Sequence, residues 1–476
     1  MMFIWSAEKS NIMNSSYRSL RLIFIVLLPM IPFISSCQPG RNEDSAMIRE
    51  IYNYELMNGS CYRNLSYLCN TIGARLTGSP QAEQAVQWTK QLMESYGFDT
   101  VYLQPVMVPH WVRGDTEIAR IISGDKEINV NLTSLGNSVG TGDKGVKAGI
   151  VEVKSLDELD SIGSAGIRGK IVFFNGRMDP RLINTGHAYG LAGVQRNHGP
   201  ARAAKYGAVG VVVRSLTTRL DHIPHTGATS YEEGVPKIPA IAISTLDAEM
   251  LDSLLKVNPS TEFFFENHCR MLDDVLSHNV VGELKGSEYP DQIIDIGGHL
   301  DSWDLAQGAH DDGTGVVQSI EVLKIFKSMN YHPHRTIRAV LFMNEENGLR
   351  GGRKYGELAV QNNETHIAAI ETDSGGMSPQ GFGMDAAADK VNKLESWAPL
   401  FRPYGLWNFS KGEGGADISS LKRMNVPLIG FRPDTQKYFK YHHTPIDRFD
   451  KVDERELELG AAAITSLVYL IDQYGL

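Results

Sequence analysis

The chain has few cysteines, four in 476 residues. Cys37 stands near the N-terminus, and Cys61, Cys69 and Cys269 follow. Cys61 and Cys69 are eight positions apart in a stretch with a helical pattern, so they lie about 12 Å apart, too far for a disulfide within one straight helix. So few cysteines exclude a disulfide framework. We expect the last three to be buried apolar side chains, although an exported protein could form one bond to Cys269.

Positive charge and long apolar runs are also scarce. The chain has 46 Lys and Arg against 56 Asp and Glu, a net charge of −10. This balance gives no general basic surface and therefore indicates no nucleic-acid partner. Beyond the N-terminus there is no run of roughly 20 apolar residues, so no internal membrane span is predicted. The length is sufficient for a sizeable core and more than one domain.

The N-terminal segment is typical of a targeting sequence. Basic residues precede an apolar run, Leu22–Ile34, which is too short to cross a bilayer comfortably. The run ends in Ile-Ser-Ser-Cys, which resembles the lipobox of bacterial lipoproteins. We predict a lipoprotein signal peptide over residues 1–36, a tether over residues 37–45, and an exported protein anchored at Cys37 in the periplasm or cell envelope. A plain secretory signal and a secreted protein are the alternative.

The rest of the chain alternates apolar strands with helices. This pattern predicts an α/β fold, with a mixed, largely parallel sheet and helices on both faces. We assign this domain to residues 46–120 and 266–476, with membrane contact only through the lipidated N-terminus. Between them, residues 121–265 have Gly-rich loops and short strands, and we predict an inserted domain of ordinary size there.

The inserted section contains two groups of polar residues that we interpret as solvent-exposed. Asp221, His222 and His225 stand close together but imply no fixed ligand geometry, so a solvated loop is favoured over a metal cluster. Arg202 and Lys205 are most simply a solvated helix face.

Residues 297–315, GGHLDSWDLAQGAHDDGTG, hold the densest group of metal-binding side chains. They follow an apolar run, Ile293–Ile296, that predicts a buried strand. His299 and Asp301 stand where this strand should end, and an Asp-Asp pair begins at Asp311. Imidazole and carboxylates together are the ligand set of a catalytic zinc-type site.

Two further predicted strands end in acidic residues. Thr336–Met343 is followed by Glu345 and Glu346, and Ile367–Thr372 is followed by Asp373. In open α/β sheets this edge is where ligands bind. So many carboxylates buried together would repel one another without a cation. Their recurrence after three separate strands therefore predicts a metal site.

The spacing of these residues suggests distinct tasks. The side chains of Glu345 and Glu346 diverge, so one can bind metal while the other faces the substrate as a general base. Asp311 is the natural candidate to bridge two metals. Asp301, two residues after His299, can hold the other ring nitrogen of that imidazole.

Four motifs, GGHLDSWD, QGAHDDGTG, NEENG and ETDSGG, occur in this order and together resemble the zinc-dependent exopeptidases of the di-zinc aminopeptidase family. The resemblance extends over nearly all the chain after the signal segment, including HWVRG at 110–114, PHTG at 224–227 and GEGGADI at 412–418. It implies a zinc-exopeptidase-like fold, a protease-associated domain in the middle section and two zinc ions as cofactors.

The resemblance also implies a role for each matched residue. His443 is preferred to His442 as a ligand because the family's ligand directly precedes a small Thr or Ser, here Thr444. Glu345 would be the general base, with Asp301 supporting His299. The implied zinc ligands are His299, Asp311 and Asp373 for one ion, and Asp311, Glu346 and His443 for the other.

The implied reaction is the hydrolysis of small peptides, especially dipeptides with free ends. The ions would bridge and activate a shared water, and Glu345 would accept its proton and pass it to the leaving amine. Tyr441 or His442 could donate a hydrogen bond to the oxyanion. Asp417 could face a peptide amino group or instead cap the following helix. Relatives of this kind also suggest a homodimer.

Two other functions stay open at this stage. One is a non-catalytic binding module on the same fold, because a fold does not fix a function. The other is acyl transfer of the glutaminyl-cyclase kind, for which one zinc ion would be expected instead of two. Aminopeptidase, carboxypeptidase and dipeptidase action differ in how peptide ends are bound, which the motifs leave open.

Overall fold

The computed structural model describes residues 39–476, with side chains from residue 42 onward, so the predicted signal peptide and Cys37 lie outside the described residues. Helix α1 (Pro39–Asn58) begins inside the stretch predicted to be a tether, and that prediction is wrong for residues 39–45. Asp44 is buried there and accepts a hydrogen bond from the Tyr469 hydroxyl, which ties this stretch to the C-terminal helix.

A first sheet of eight strands forms the larger part of the fold. Numbered along the whole chain, its strands are β1 (Thr100–Val112), β10 (Arg270–Leu284), β11 (Tyr289–His299), β12 (Arg335–Phe342), β13 (Thr365–Glu371), β14 (Pro379–Asp385), β15 (Asn408–Lys411) and β16 (Leu428–Pro433). Their spatial order is β1-β10-β12-β11-β13-β16-β14-β15.

This sheet is mixed, as predicted, but it is not largely parallel. The central strands β12, β11, β13 and β16 are parallel to their neighbours in that group, and β15 is parallel to β14. The pairs β1–β10, β10–β12 and β14–β16 are antiparallel. For the first pair the reason is that the chain leaves this sheet along β1 and returns to it along β10, so that the two strands run in opposite directions.

Helices cover both faces of the first sheet. Strand β12 shows why: Ile337, Ala339 and Leu341 join one apolar core, while Val340 and Phe342 point to the other face and join a second core. Both faces are therefore apolar, as expected for a central strand covered on both sides. The helices of this part, besides α1, are α2 (Cys61–Tyr67), α3 (Pro80–Ser95), α7 (Thr314–Ser328), α8 (Arg350–Gln361), α9 (Ala388–Phe401) and α10 (Glu454–Tyr474).

A second eight-stranded sheet is built between β1 and β10. Residues 117–267 form it, close to the predicted insert at 121–265, while its kinship with protease-associated domains stays a prediction. Its elements are β2 (Glu117–Ser123), β3 (Lys126–Asn129), β4 (Leu132–Ser134), β5 (Val146–Val153), α4 (Leu156–Ile167), β6 (Ile171–Phe174), α5 (Thr185–Lys205), β7 (Gly210–Arg214), β8 (Ala240–Ile243), α6 (Thr245–Val257) and β9 (Glu262–Asn267). The strand order is β3-β2-β9-β5-β6-β7-β8-β4, and β5 to β8 are parallel.

The prediction for the three cysteines after the signal segment is confirmed. Cys61, Cys69 and Cys269 are free thiols, and all three are buried. No helix within residues 39–476 is long and apolar enough to cross a membrane.

Candidate metal centre

The carboxyl ends of three neighbouring strands form the centre of the site. β11 ends at His299, β12 is followed by Glu345 and Glu346, and β13 is followed by Asp373. β11 lies between the other two strands and is parallel to both. Their ends therefore lie along one edge of the sheet, the edge where open α/β sheets bind ligands.

Asp311 stands between two imidazoles and directs one oxygen to each. Its Oδ1 is 3.2 Å from His299 Nε2, and its Oδ2 is 3.2 Å from His443 Nε2. Asp373 Oδ1 lies 3.7 Å from His299 Nε2, and Glu346 Oε2 lies 3.1 Å from His443 Nε2. The structure thus brings the five predicted ligands into two groups that share Asp311.

The donor atoms of these groups suit a cation. The ligand atoms of His299, Asp311 and Asp373 all lie within 4.8 Å of one another, and so do those of Asp311, His442 and His443. Asp311 Oδ2 is buried and has no hydrogen-bond partner among the described residues. Imidazole nitrogens with carboxylate oxygens are a ligand set that fits zinc.

Two buried aspartates position the chain that carries these ligands. Asp447 accepts hydrogen bonds from the main-chain N–H groups of His310 and Asp311, at 2.8 and 3.1 Å. Asp312 accepts one from the N–H of His299 at 3.1 Å. Burial raises the pKa of Asp447 to about 7, although both N–H groups act against the rise. Sequence reasoning missed Asp447, whose only signal is its place four residues after His443.

The side chain of Asp301 does not hold the His299 ring, which corrects the prediction. His299 Nδ1 donates to the main-chain oxygen of Asp301 at 2.9 Å, whereas the nearest carboxylate oxygen is 3.9 Å away. Asp301 Oδ1 instead accepts from the N–H groups of Asn344 and Glu345, at 2.8 and 3.1 Å, and Oδ2 accepts from the Thr77 hydroxyl at 2.9 Å. The carboxylate therefore positions the turn that carries Glu345.

Glu345 lines a cavity of about 630 Å³ beside the donor atoms. Its wall also includes Asp311, Glu346, Asp373 and His443. Burial, together with the charges of Asp373 and Glu346, raises the pKa of Glu345 well above its ordinary value, although His299 opposes the rise. A carboxylate with a raised pKa accepts a proton more readily, which suits a general base.

Two of the three residues predicted to contact the substrate lie away from the cavity wall. Tyr441 stacks on His310 with ring centres 5.3 Å apart, and Tyr438 of the same loop lines the cavity instead. Asp417 is 1% exposed, and burial with the charge of Glu371 raises its pKa well above its ordinary value. A buried carboxyl of this kind suits neither the predicted amino-group contact nor a helix cap. The third residue, His442, does line the cavity.

A loop of the second sheet supports the two adjacent histidines. His225 Nδ1 donates to the main-chain oxygen of His442 at 2.9 Å, and Thr226 N–H donates to that of His443 at 3.0 Å. Thr226 O in turn accepts from His443 Nδ1 at 3.3 Å, which leaves Nε2 facing the carboxylates. The predicted solvated loop is therefore wrong for His225, which is buried and whose pKa burial lowers to about 3.

These contacts hold His443 in an uncommon conformation. Its φ is +61°, in the left-handed region that few residues other than glycine adopt. Such a conformation persists where the surroundings fix it, and it is frequent at functional sites. Here the main chain of Thr226 forms two hydrogen bonds with His443, one to the carbonyl oxygen of His443 and one to its ring.

Comparison with known proteins gives consistent matches across the described chain. Residues 279–468 match peptidase family M28. Carboxypeptidase Q of Bos taurus is 33% identical over 410 residues, 86% of this chain and 84% of that protein. Carboxypeptidase Q of Xenopus laevis is 35% identical over 414 residues, 86% and 85% of the two chains. The crystal structure of a peptidase M28 precursor from Shewanella amazonensis SB2B has a TM-score of 0.86 and 34% identity, and covers 91% of this chain and 97% of that one.

The fold and the site together define this protein as a metallo-exopeptidase. Relatives above 30% identity match more than four-fifths of both chains, so the similarity is not confined to the metal-binding motifs. The chain belongs to peptidase family M28.

Proposed function

We propose that this protein is an exported exopeptidase that hydrolyses small peptides at a centre of two zinc ions, with Glu345 as the general base. The observation that carries the proposal is the position of Asp311, whose two oxygens each face a different imidazole at 3.2 Å. A carboxylate placed in this way suits two cations better than one, because each ion then has its own histidine and its own second carboxylate.

The five ligand residues divide into two sets in this proposal. His299, Asp311 and Asp373 would hold one zinc ion, and Asp311, Glu346 and His443 would hold the other. Bound zinc supplies Lewis acidity, which lowers the pKa of water and polarises a peptide carbonyl. His443 is favoured over His442 because its Nε2 lies near both Asp311 and Glu346, while His442 Nε2 is 3.6 Å from Asp311 alone.

The remaining side chains would act on the peptide and its protons. Glu345 takes a proton from the attacking water and returns it to the leaving amine. Asp301 fixes the turn that carries Glu345 through two main-chain hydrogen bonds. His442, whose ring lies in the cavity wall, can donate a hydrogen bond to the oxyanion that forms from the carbonyl.

The size of the cavity supports small peptides as substrates. A volume of about 630 Å³ is in the range of pockets that enclose a small ligand and leave little room for a folded chain. The apolar run at Leu22–Ile34 and Cys37 support export and a lipid anchor in the cell envelope, with a secreted protein as the alternative.

Replacing Glu345 by Gln tests the proposed base. We expect Glu345→Gln to bind two zinc ions per chain, because this side chain is not among the ligands, and to lose about 10³-fold in kcat on dipeptides. Metal content by mass spectrometry and hydrolysis by product analysis measure the two effects. Glu357→Gln, an exposed glutamate on α8, is the matched control and should behave like the wild type.

Three results would contradict parts of this proposal. Normal turnover by Glu345→Gln would remove the proposed base. One zinc ion per chain, with cyclisation of N-terminal glutamine, would favour acyl transfer of the glutaminyl-cyclase kind. Failure of the zinc-loaded wild type to hydrolyse any peptide of a dipeptide panel would remove the small-peptide assignment.

A further inference from the structure

The wall of the cavity opposite the acidic residues carries a guanidinium, that of Arg196. This residue belongs to helix α5 of the second sheet, whereas the candidate metal ligands come from the first sheet. Arg196 is half-buried, and its charged group lies 5.3 Å from the ring centre of Tyr189. A guanidinium that faces a cavity is available to pair with an anionic group of a ligand.

Arg196 has unused hydrogen-bonding capacity. Nη2 donates to the Tyr189 hydroxyl at 2.6 Å, and Nη1 donates to Thr226 O at 3.3 Å. Nε is buried without a partner among the described residues. A guanidinium has five N–H donors, and Nη1 also lies 3.5 Å from a ring nitrogen of His443, so two donors have no partner, one on Nε and one on Nη2. Neither partner is an anion, and within residues 42–476 Arg196 forms no ion pair with a carboxylate.

The position of Arg196 relative to the donor atoms decides which anion it suits. Its Nη1 lies 3.5 Å from Nδ1 of His443, and the other ring nitrogen of His443 faces Asp311 and Glu346. One imidazole ring therefore separates the guanidinium from the site of peptide cleavage. In a peptide, a carboxylate at that short distance from the scissile carbonyl is the C-terminus of the next residue.

A second cation in the cavity wall is less suited to this task. Arg353 of α8 also lines the cavity, but its side chain is exposed and also borders a neighbouring groove. Water screens an exposed guanidinium and weakens its pairing with an anion. Arg196 is shielded from water on one side by Tyr189, so a carboxylate bound to it gains more.

We propose that Arg196 binds the C-terminal carboxylate of the substrate one residue beyond the scissile bond, and is the side chain by which the enzyme recognises a free C-terminus. This inference rests on the proposed function and assigns a substrate-binding residue to that same site. Charge-assisted hydrogen bonds from a planar guanidinium to a carboxylate are among the strongest that proteins form. An analogue without the carboxylate leaves these donors unpaired and is therefore rejected.

The test compares three substrates on the zinc-loaded enzyme. They are a dipeptide of neutral residues, its C-terminal amide, and a dipeptide amide whose second residue is Glu. The wild type should prefer the free dipeptide to its amide by at least about 30-fold in kcat/KM. Arg196→Gln should lose roughly 100-fold on the free dipeptide, mainly through KM, and stay within about threefold on the amide.

Two further variants and the zinc content separate substrate binding from a structural role. Arg196→Lys keeps the charge but not the planar group, and should lie between the wild type and Arg196→Gln. Arg202→Gln is the matched control on the same helix, because Arg202 pairs with Asp160 on the surface. All variants should retain the wild-type zinc content. An equal loss on free dipeptide and amide, or a loss of zinc, would instead mean that Arg196 only supports His443, and would overturn the inference.

The wild-type results distinguish this inference from the proposed function. Equal rates on free dipeptide and amide would overturn the role of Arg196 and leave the peptidase assignment intact. The wild type could instead prefer the amide with Glu to the neutral amide and lose this preference in Arg196→Gln. That result would mean that Arg196 binds an acidic side chain, and it would also overturn the inference. Hydrolysis of none of the three substrates would overturn the proposed function itself.

Discussion

At the scale of single residues, the contacts of Asp301 indicate whether its carboxylate is needed for its negative charge or as a hydrogen-bond acceptor. Its main-chain oxygen accepts from the His299 ring, and its carboxylate accepts from the turn of Glu345. A side chain needed for its negative charge and a side chain needed as an acceptor respond differently to substitution. The contacts in the structure favour the acceptor.

Substitution of Asp301 by Asn or Ala tests this distinction. Asn keeps an acceptor oxygen for the N–H groups of Asn344 and Glu345, so Asp301→Asn should keep kcat within about tenfold of the wild type. Asp301→Ala leaves both N–H groups unpaired and should lose about 100-fold through misplacement of the base. Zinc content should be unchanged in both. Equal and severe losses in the two variants would show that the charge itself is required.

The residue types at the site could be predicted from the sequence, but the atoms that make each contact could not. Histidine and carboxylates after three strands predicted a metal site, because parallel strands end at a common edge. Whether His299 meets the main chain or the side chain of Asp301 depends on the local path of the chain after β11. The sequence likewise predicts Tyr441 as a substrate contact, but the turn between residues 438 and 441 places the Tyr438 ring in the cavity wall and the Tyr441 ring against His310.

At the scale of elements, a buried charged network joins the neighbouring strands β11 and β13. His366 Nδ1 lies 2.5 Å from Asp295 Oδ2, and its Nε2 lies 3.1 Å from Glu364 Oε2. The Tyr355 hydroxyl on α8 donates to Asp295 Oδ1 at 2.6 Å. Burial alone would lower the pKa of His366, but the charges of Asp295 and Glu364 raise it to about 9. The protonated imidazole therefore stabilises this part of the sheet.

The stabilisation by His366 should depend on pH in a defined direction. The pKa is about 9 in the folded protein and near 6.5 in an unfolded chain, so the contribution is fully present below pH 6.5 and is lost as pH rises through 9. His366→Gln should lower the free energy of unfolding by roughly 3 kcal/mol at pH 6 and by much less at pH 9.5. Urea unfolding at both pH values measures this, with exposed His332→Gln as control. A difference that grows with pH would contradict the assignment.

Most elements of the first sheet could be predicted from the sequence, but the parallel or antiparallel direction of every strand could not. Alternating apolar strands and helices predicted an α/β fold, and strand β12, buried on both faces, explains the pattern. The antiparallel pairing of β1 with β10 is set by residues 117–267, which separate the two strands along the chain. Local periodicity gives no information about which way a strand runs after so long an interruption.

At the scale of the whole molecule, the site combines both sheets and concentrates negative charge. Asp311, Glu345, Glu346 and Asp373 lie around one cavity, with His299 and His443 beside them. Bound cations would reduce the repulsion between these carboxylates and would bind the folded chain far better than the unfolded one. Metal and fold stability should therefore be linked.

Removal of metal should lower the thermal stability of the protein. Treatment with a chelator should reduce Tm by roughly 5 °C, and added zinc should restore it. Differential scanning calorimetry with and without chelator measures the shift. His299→Gln, which lacks one ligand of the first group, should show a smaller shift. A Tm that is the same with and without chelator in the wild type would count against a resident metal.

The contribution of the second sheet to the site could not be predicted from the sequence. His225 was assigned to a solvated loop because Asp221, His222 and His225 imply no fixed ligand geometry. In the structure its ring is buried against the main chain of His442, 217 positions away. Contacts of such sequence separation depend on how two sheets lie together, which no local pattern encodes.

The hydrogen bonds between Thr226 and His443 also limit how this enzyme could be re-engineered as a set of modules. The second sheet would be an obvious candidate for transplantation between peptidases, or for deletion to obtain a smaller catalyst. Either operation would exchange the cavity wall and, at the same time, the backbone that fixes one histidine. A chimera that exchanges this sheet would therefore have to retain residues 224–227 in their native geometry to keep His443 in place.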